Sequence, residues 1–185
     1  MSVSLEAGRV FPDNGGMALF QPLFAALNEA EIRYVVVGGL AVVLHGHARL
    51  TADVDLVVDL EPAPAARTID VLTGLGFKPR LPVDAAAFAD VDTRRSWIED
   101  RGMRVFSLFD PENPLRAVDL FVEHVIEFEE LWSASELIEI PGASIRVADI
   151  PHLIRLKEMA GRDQDLTDIE QLKAILKGRD GASDG

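Results

Sequence analysis

YVVVGGLAVVLHGHARLTADVDLVVD, residues 34–59, holds two apolar runs with a glycine pair between them. The first run, Tyr34 to Val37, ends at Gly38-Gly39, and the second opens with Asp53-Val54-Asp55. Alternate side chains of a strand face the same way. Val54, Leu56 and Val58 therefore share one face, and Asp53, Asp55 and Val57 the other. At a rise of ~3.3 Å per residue the two carboxylates stand roughly 6–7 Å apart along the backbone. Two acids set among Val and Leu repel each other, and divalent cations between them would remove the repulsion. Mg²⁺ takes a couple of carboxylates together with phosphate oxygens and water, so the pattern points to metal-assisted phosphoryl or nucleotidyl chemistry. Gly38 and Gly39 allow the backbone to close on a ligand and aim amide N–H groups at it. They form neither a GxGxxG fingerprint nor a P-loop, and an isolated glycine pair is most simply a tight turn.

Outward from this segment the chain alternates between helical and strand patterns. Ala18–Ala30 has the spacing of an amphipathic helix, with Pro22 acceptable only in an early turn. Arg33–Val37 is a buried strand, Leu40–His45 a short helix, Val54–Val58 a second strand and Pro62–Leu75 a proline-opened helix. Ala85–Arg101 suggests two helical pieces about Asp90–Thr93. Met103–Phe109 and Ala117–Val122 alternate as strands and pair as a hairpin across Asp110–Arg116. A helix near Glu127–Ser133 precedes short strands at Glu136–Ile140 and Ser144–Val147, which turn at Pro141-Gly142. Helices at Ile150–Ala160 and Leu166–Lys177 follow, joined by Gly161–Asp165. The order predicts an α/β (α+β) domain on a mixed sheet flanked by helices, with a helical C-terminal segment.

The composition limits the partners. With 185 residues, 48% hydrophobic and 26% charged, the chain can bury a sizeable core. A formal net charge of −13 removes the generic attraction that draws proteins to long duplex DNA. No apolar stretch reaches the ~20 residues of a membrane span, and no secretory signal is visible at the N-terminus. The absence of cysteine excludes disulfides and thiolate metal sites, and it fits the reducing cytoplasm in which the chain is expected.

Asp119 adds a third acid. It lies in AVDLFV on the face opposite Val118 and Leu120. Brought beside the Asp53–Asp55 strand, it could ligate a metal and accept the proton of an attacking hydroxyl. A lone strand Asp is otherwise usually solvated or a cap.

The glycine turn, the Asp-x-Asp on the next strand and the later Asp119 together resemble the nucleotidyltransferase fold superfamily, of the DNA polymerase β type. GGLAVVLHGHARLTADVDLVV is similar to the minimal bacterial nucleotidyltransferases that include abortive-infection and toxin–antitoxin toxins. Gly46, Arg49 and Thr51 match a Gly-x-x-Arg-x-Thr lead-in of those proteins. LIRLKEMAGRDQDLTDIEQL supplies Lys157, Arg162, Asp165 and Asp168 in the style of their helical part.

The resemblance implies a catalytic domain over residues 17–148 and a helical segment over 149–178 packed on it, while the lack of periodicity at 1–16 and the composition of 179–185 predict disordered ends. It implies two Mg²⁺ held by Asp53, Asp55 and Asp119, and an NTP held by Gly38, Gly39, Arg49, Thr51 and Lys157. The acceptor would be an RNA end, a protein or a small molecule, and a cognate antitoxin is among the implied partners. A non-catalytic relative that binds a nucleotide or a partner is the alternative. Several of these residues also have simpler roles: Arg49 as the partner of an acid, Thr51 as a local hydrogen-bonding residue, Lys157 on a solvated helix face. Asp165 could cap the last helix with Asp168 in its first turn. His45 and His47 fit helix-end or loop positions, and Trp97 and Trp132 core or interface positions.

Overall fold

The computed structural model describes residues 15–48, 51 and 53–183. Its frame is a 7-stranded mixed sheet. The strands are β1 (Tyr34–Val37), β2 (Asp53–Val58), β3 (Lys78–Pro79), β4 (Val105–Phe109), β5 (Ala117–Phe121), β6 (Glu136–Ile140) and β7 (Ala143–Val147). They lie in the order β3-β4-β5-β2-β1-β7-β6. β2 runs antiparallel to β1 and parallel to β5, while β1 runs parallel to β7. All four residues of β1 are buried, as a near-continuous apolar run demands of a strand covered on both faces.

Helix α1 (Gly15–Glu29) places Phe20, Leu23, Phe24 and Leu27 on one buried face, the helical spacing of a core stripe. Helices α2 (Gly38–Leu44), α3 (Pro62–Gly74), α4 (Val91–Arg101) and α5 (Phe128–Ala134) lie between strands, and α6 (Ile150–Ala160) and α7 (Asp163–Ser183) form the C-terminal pair. Ala85–Ala89 is a 3₁₀ turn whose end, Asp90, caps α4 through a 2.7 Å bond from the Thr93 amide. The two pieces expected about this point are therefore separate elements. Trp97 is a core residue, stacked 5.1 Å from Phe106. Trp132 packs against the guanidinium groups of Arg33 and Arg146, 5.0 and 4.4 Å from its ring.

The structure differs from the sequence expectations at several points. α1 starts at Gly15, so Pro22 lies inside the helix and not in its first turn. β3 has only two residues, too few for periodicity to reveal. The last helix neither starts at Leu166 nor stops at Lys177: it runs from Asp163 to Ser183, through part of the tail that composition marks as loose. Arg179 anchors this extension by donating to Glu136 at 2.9 Å and to His45 at 3.0 Å. These are tertiary contacts that local composition does not encode. Residues 1–14 and 184–185 lie outside the described residues, as do Arg49, Leu50 and Ala52.

Candidate active site

The parallel pairing of β2 with β5 sets Asp55 directly beside Asp119. Both carboxylates therefore stand on one face of the sheet, and they line a cavity of about 380 Å³. Asp53 shares their face two residues earlier but sits at the exposed start of β2. Among the described residues, no three acidic or histidine side chains form a ready-made metal cage. The structure thus brings two of the three expected acids abreast and leaves the third at the rim.

Gly38 closes the floor. Its φ of +65° is left-handed, and a Cβ there would lie 2.0 Å from the Asp55 Oδ2. Only glycine permits the bend between β1 and α2 and the close approach of this carboxylate. Gly39 follows as a buried residue of α2. The cavity's other wall is α6, through Leu153, Leu156, Lys157, Met159 and Ala160.

The electrostatics separate two groups of acids. The Asp55 pKa is raised to about 7, first by burial, then by Asp119 and Asp53; Arg162 and Lys157 pull it down less strongly. Asp119 is also raised, chiefly by burial and by Asp53, against a hydrogen bond with Ser107 and the field of Arg80. Ser107 and Arg80 escaped the sequence reading. Ser107 faces Asp119 only through the β4–β5 register, which is a long-range pairing.

In the second group, Lys157 is not on a solvated face. It is 5% exposed, and its Nζ donates to Asp168 at 2.7 Å and to Asp165 at 3.2 Å. Arg162 donates from both its backbone N and its Nε to the Asp165 Oδ2. Burial would raise the Asp165 pKa, but these hydrogen bonds outweigh it and hold the carboxyl below its ordinary range. Asp165 does not N-cap α7 as expected. It sits two residues inside the helix and reaches back to the Arg162 amide, the returning half of a capping box.

Thr51 donates to the Asp53 backbone oxygen at 3.3 Å, a local bond that steers the entry of β2. Arg49 lies outside the described residues. His45 is buried, and its Nε2 is 2.7 Å from the Ala148 carbonyl oxygen, so it acts in the scaffold and not at the cavity. The cavity also gathers Arg104, Val105, Phe121, Glu123 and Val125, which no motif marked.

The donor set suits a divalent cation. Asp55 and Asp119 are half-buried carboxylates whose pKa values burial and neighbouring acids push up, while Lys157 and Arg162, the cations whose fields reach Asp55, spend hydrogen bonds on Asp165 and Asp168. Mg²⁺ asks little more of a protein than one or two carboxylates, because substrate phosphates and water supply the remaining ligands.

No protein-family model matches the chain, and no curated protein does. Solved structures do match. The lincosamide antibiotic adenylyltransferase LnuA, in its lincomycin-bound form, superposes with a TM-score of 0.56 at 15% identity, over 90% of this chain and 99% of that one. The antibiotic-resistance factor ANT(2'')-Ia gives 0.53 at 14%, over 94% and 97%. An antigenic nucleotidyltransferase-like protein from Paracoccidioides brasiliensis gives 0.56 at 16%, over 89% and 77%. No helix among the described residues is long and apolar enough to cross a membrane. A mixed sheet with adjoining acids on β2 and β5, and these matches over nearly the whole chain, give one conclusion: the chain has the fold of the nucleotidyltransferase superfamily.

Proposed function

We propose that the chain is a metal-dependent nucleotidyltransferase that moves an NMP from an NTP to an acceptor hydroxyl and releases pyrophosphate. The observation that carries this is the in-register pairing of Asp55 with Asp119 on the cavity face, against the Gly38 bend. Asp55 and Asp119, with Asp53 at the rim, would hold Mg²⁺. When bound, the cation would neutralise charge on the phosphates and on both the entering and leaving oxygens.

The chain's own groups supply the rest. The amides at Gly38 and Gly39 face the triphosphate. Asp119 takes the proton of the acceptor hydroxyl. The acceptor oxygen bonds to the α-phosphorus as the bond from that phosphorus to the bridging oxygen breaks, and pyrophosphate leaves with the electron pair. The proton on Asp119 then passes to water. Lys157 lines the cavity and adds positive field behind the phosphates, positioned by Asp165 and Asp168. Arg49 and Thr51 complete the proposed nucleotide contacts, Thr51 by shaping the approach to Asp53.

LnuA is a lincosamide antibiotic adenylyltransferase seen with lincomycin, and ANT(2'')-Ia is seen in complex with adenylyl-2''-tobramycin; both support a small-molecule acceptor here. An RNA end or a protein hydroxyl, and with them a toxin role opposed by an antitoxin, rests on the sequence resemblance alone. The test is to incubate the purified chain with Mg²⁺ and each α-labelled NTP in turn, offering small hydroxylated molecules, RNA and protein. Label transfer that disappears in Asp55→Ala and Asp119→Ala supports the proposal. Nucleotide binding without transfer, unchanged by either substitution, would favour a binding-only relative.

A further inference from the structure

Beyond the carboxylates the cavity continues as a slot between the sheet and α6. Phe121 and Glu123 follow Asp119 at two-residue intervals, and Val105 pairs with Phe121 across β4–β5. At ~3.3 Å per residue, Phe121 stands roughly 6–7 Å beyond Asp119. Leu153, Leu156 and Met159 of α6 form the opposite wall. Both walls carry apolar side chains, with the charged Arg104 and Glu123 set among those of the sheet side. Met159 is 53% exposed although it lines a cavity, which is open apolar surface next to a reactive pair.

This surface opens from the Asp119 side of the carboxylate pair, whereas the Gly38 bend adjoins Asp55. Whatever occupies the slot therefore lies against the acid assigned to the acceptor proton. A long polyanion such as RNA is poorly matched to it: the chain carries a net charge of −13, and the sheet wall beyond Asp119 offers one cation, Arg104, alongside one acid, Glu123. We infer that the slot binds the apolar body of a small hydroxylated acceptor, with Phe121, Val125, Leu156 and Met159 as its specificity-determining contacts. The inference rests on the transferase reading above and narrows its acceptor class.

The test uses the full chain labelled with ¹³C at the methionine methyl groups and follows the Met159 resonance. Three probes are titrated: 2-phenylethanol as an apolar-bodied alcohol, ATP, and a hexa-adenylate RNA. The alcohol is expected to shift Met159 saturably, with ATP bound at the same time and without displacing it. Val125→Asp, in the loop before α5, should weaken alcohol binding by roughly tenfold or more. Met159→Glu, at a position exposed enough for the fold to tolerate it, should do the same in calorimetric titration. Displacement of the alcohol by ATP would make the slot a nucleobase pocket and overturn the inference. A saturable Met159 shift with the RNA but not the alcohol would overturn it in favour of a nucleic-acid acceptor. No shift with the alcohol would also overturn it. Asp55→Asn separates the two proposals, because it should abolish label transfer and leave alcohol binding intact. Alcohol binding in a wild-type chain that transfers no label would support the slot and count against the transferase reading alone.

Discussion

The molecule holds two acid pairs that the same physics treats in opposite ways. Asp55 and Asp119 lie side by side in the sheet, and burial drives both pKa values up, Asp55 to about 7 with Asp119 and Asp53 adding to its rise, and Asp119 with Asp53 adding to its own. Asp165 and Asp168 lie in the first turns of α7, where Lys157 bonds to both, and Arg162 to Asp165. There the hydrogen bonds overcome burial, and Asp165 is held low. A buried carboxylate that the fold has neutralised is structural. One left against its neighbour is available to a cation and its phosphates. Residue type and burial alone would not tell them apart.

Removing an acid from the sheet pair should give the largest effect. Asp55→Ala or Asp119→Ala is expected to lower label transfer by about 10³-fold, about 4 kcal/mol at the transition state, with the melting temperature unchanged or raised. An active Asp55→Ala would erase the distinction between the pairs.

The helical pair should respond in stability. Lys157→Met leaves Asp165 and Asp168 without their shared cation and should cost about 3 kcal/mol in urea unfolding at pH 7. Retained stability would show that these acids are solvated.

Gly38→Ala forces a Cβ into the Asp55 carboxylate in a left-handed backbone. A loss of about 2 kcal/mol, with nucleotide affinity falling alongside, is expected from thermal melts and calorimetry.

The pH dependence follows from the raised Asp55 pKa. In the metal-free chain the folded state holds this proton more tightly than the unfolded state does. Its contribution to stability is thus fully present below the ordinary carboxylate pKa and is lost as pH rises through about 7. Asp55→Asn should therefore stabilise the metal-free chain at pH 8 by about 3–4 kcal/mol relative to its effect at pH 4, as read by thermal melts. Saturating Mg²⁺ should shrink that gain. An Asn variant that stabilises equally at both pH values would contradict the raised pKa that burial and the neighbouring acids impose. Thr51→Val, which loses one local hydrogen bond, should change stability by less than about 0.5 kcal/mol.

Much of the sheet site was legible because its determinants are local or periodic. Two-residue alternation put Asp53 and Asp55 on one face, and the apolar flanks of Asp119 oriented it in its own strand. That β2 and β5 run parallel with Asp55 opposite Asp119 is a register between distant segments, and only the family resemblance pointed there. The helical site was less legible. Lys157 has ordinary surface spacing, and its burial arises because α7 folds back against α6. Of the slot residues, Phe121 shares only the alternation of β5, and Val125 and Met159 carry no pattern, since an apolar residue facing a cavity reads like one facing the core. The extension of α7 to Ser183 depends on Arg179 meeting Glu136 and His45, contacts between distant segments of the chain.

The sheet pair's role rests on binding a cation together with a nucleotide. Mn²⁺ bound with a non-hydrolysable ATP analogue, followed by water-proton relaxation, reads this in the wild type and in the double variant Asp55→Asn, Asp119→Asn. Saturable ternary binding in the wild type and its loss in the double variant is the predicted result. Equal affinity in both chains would contradict it.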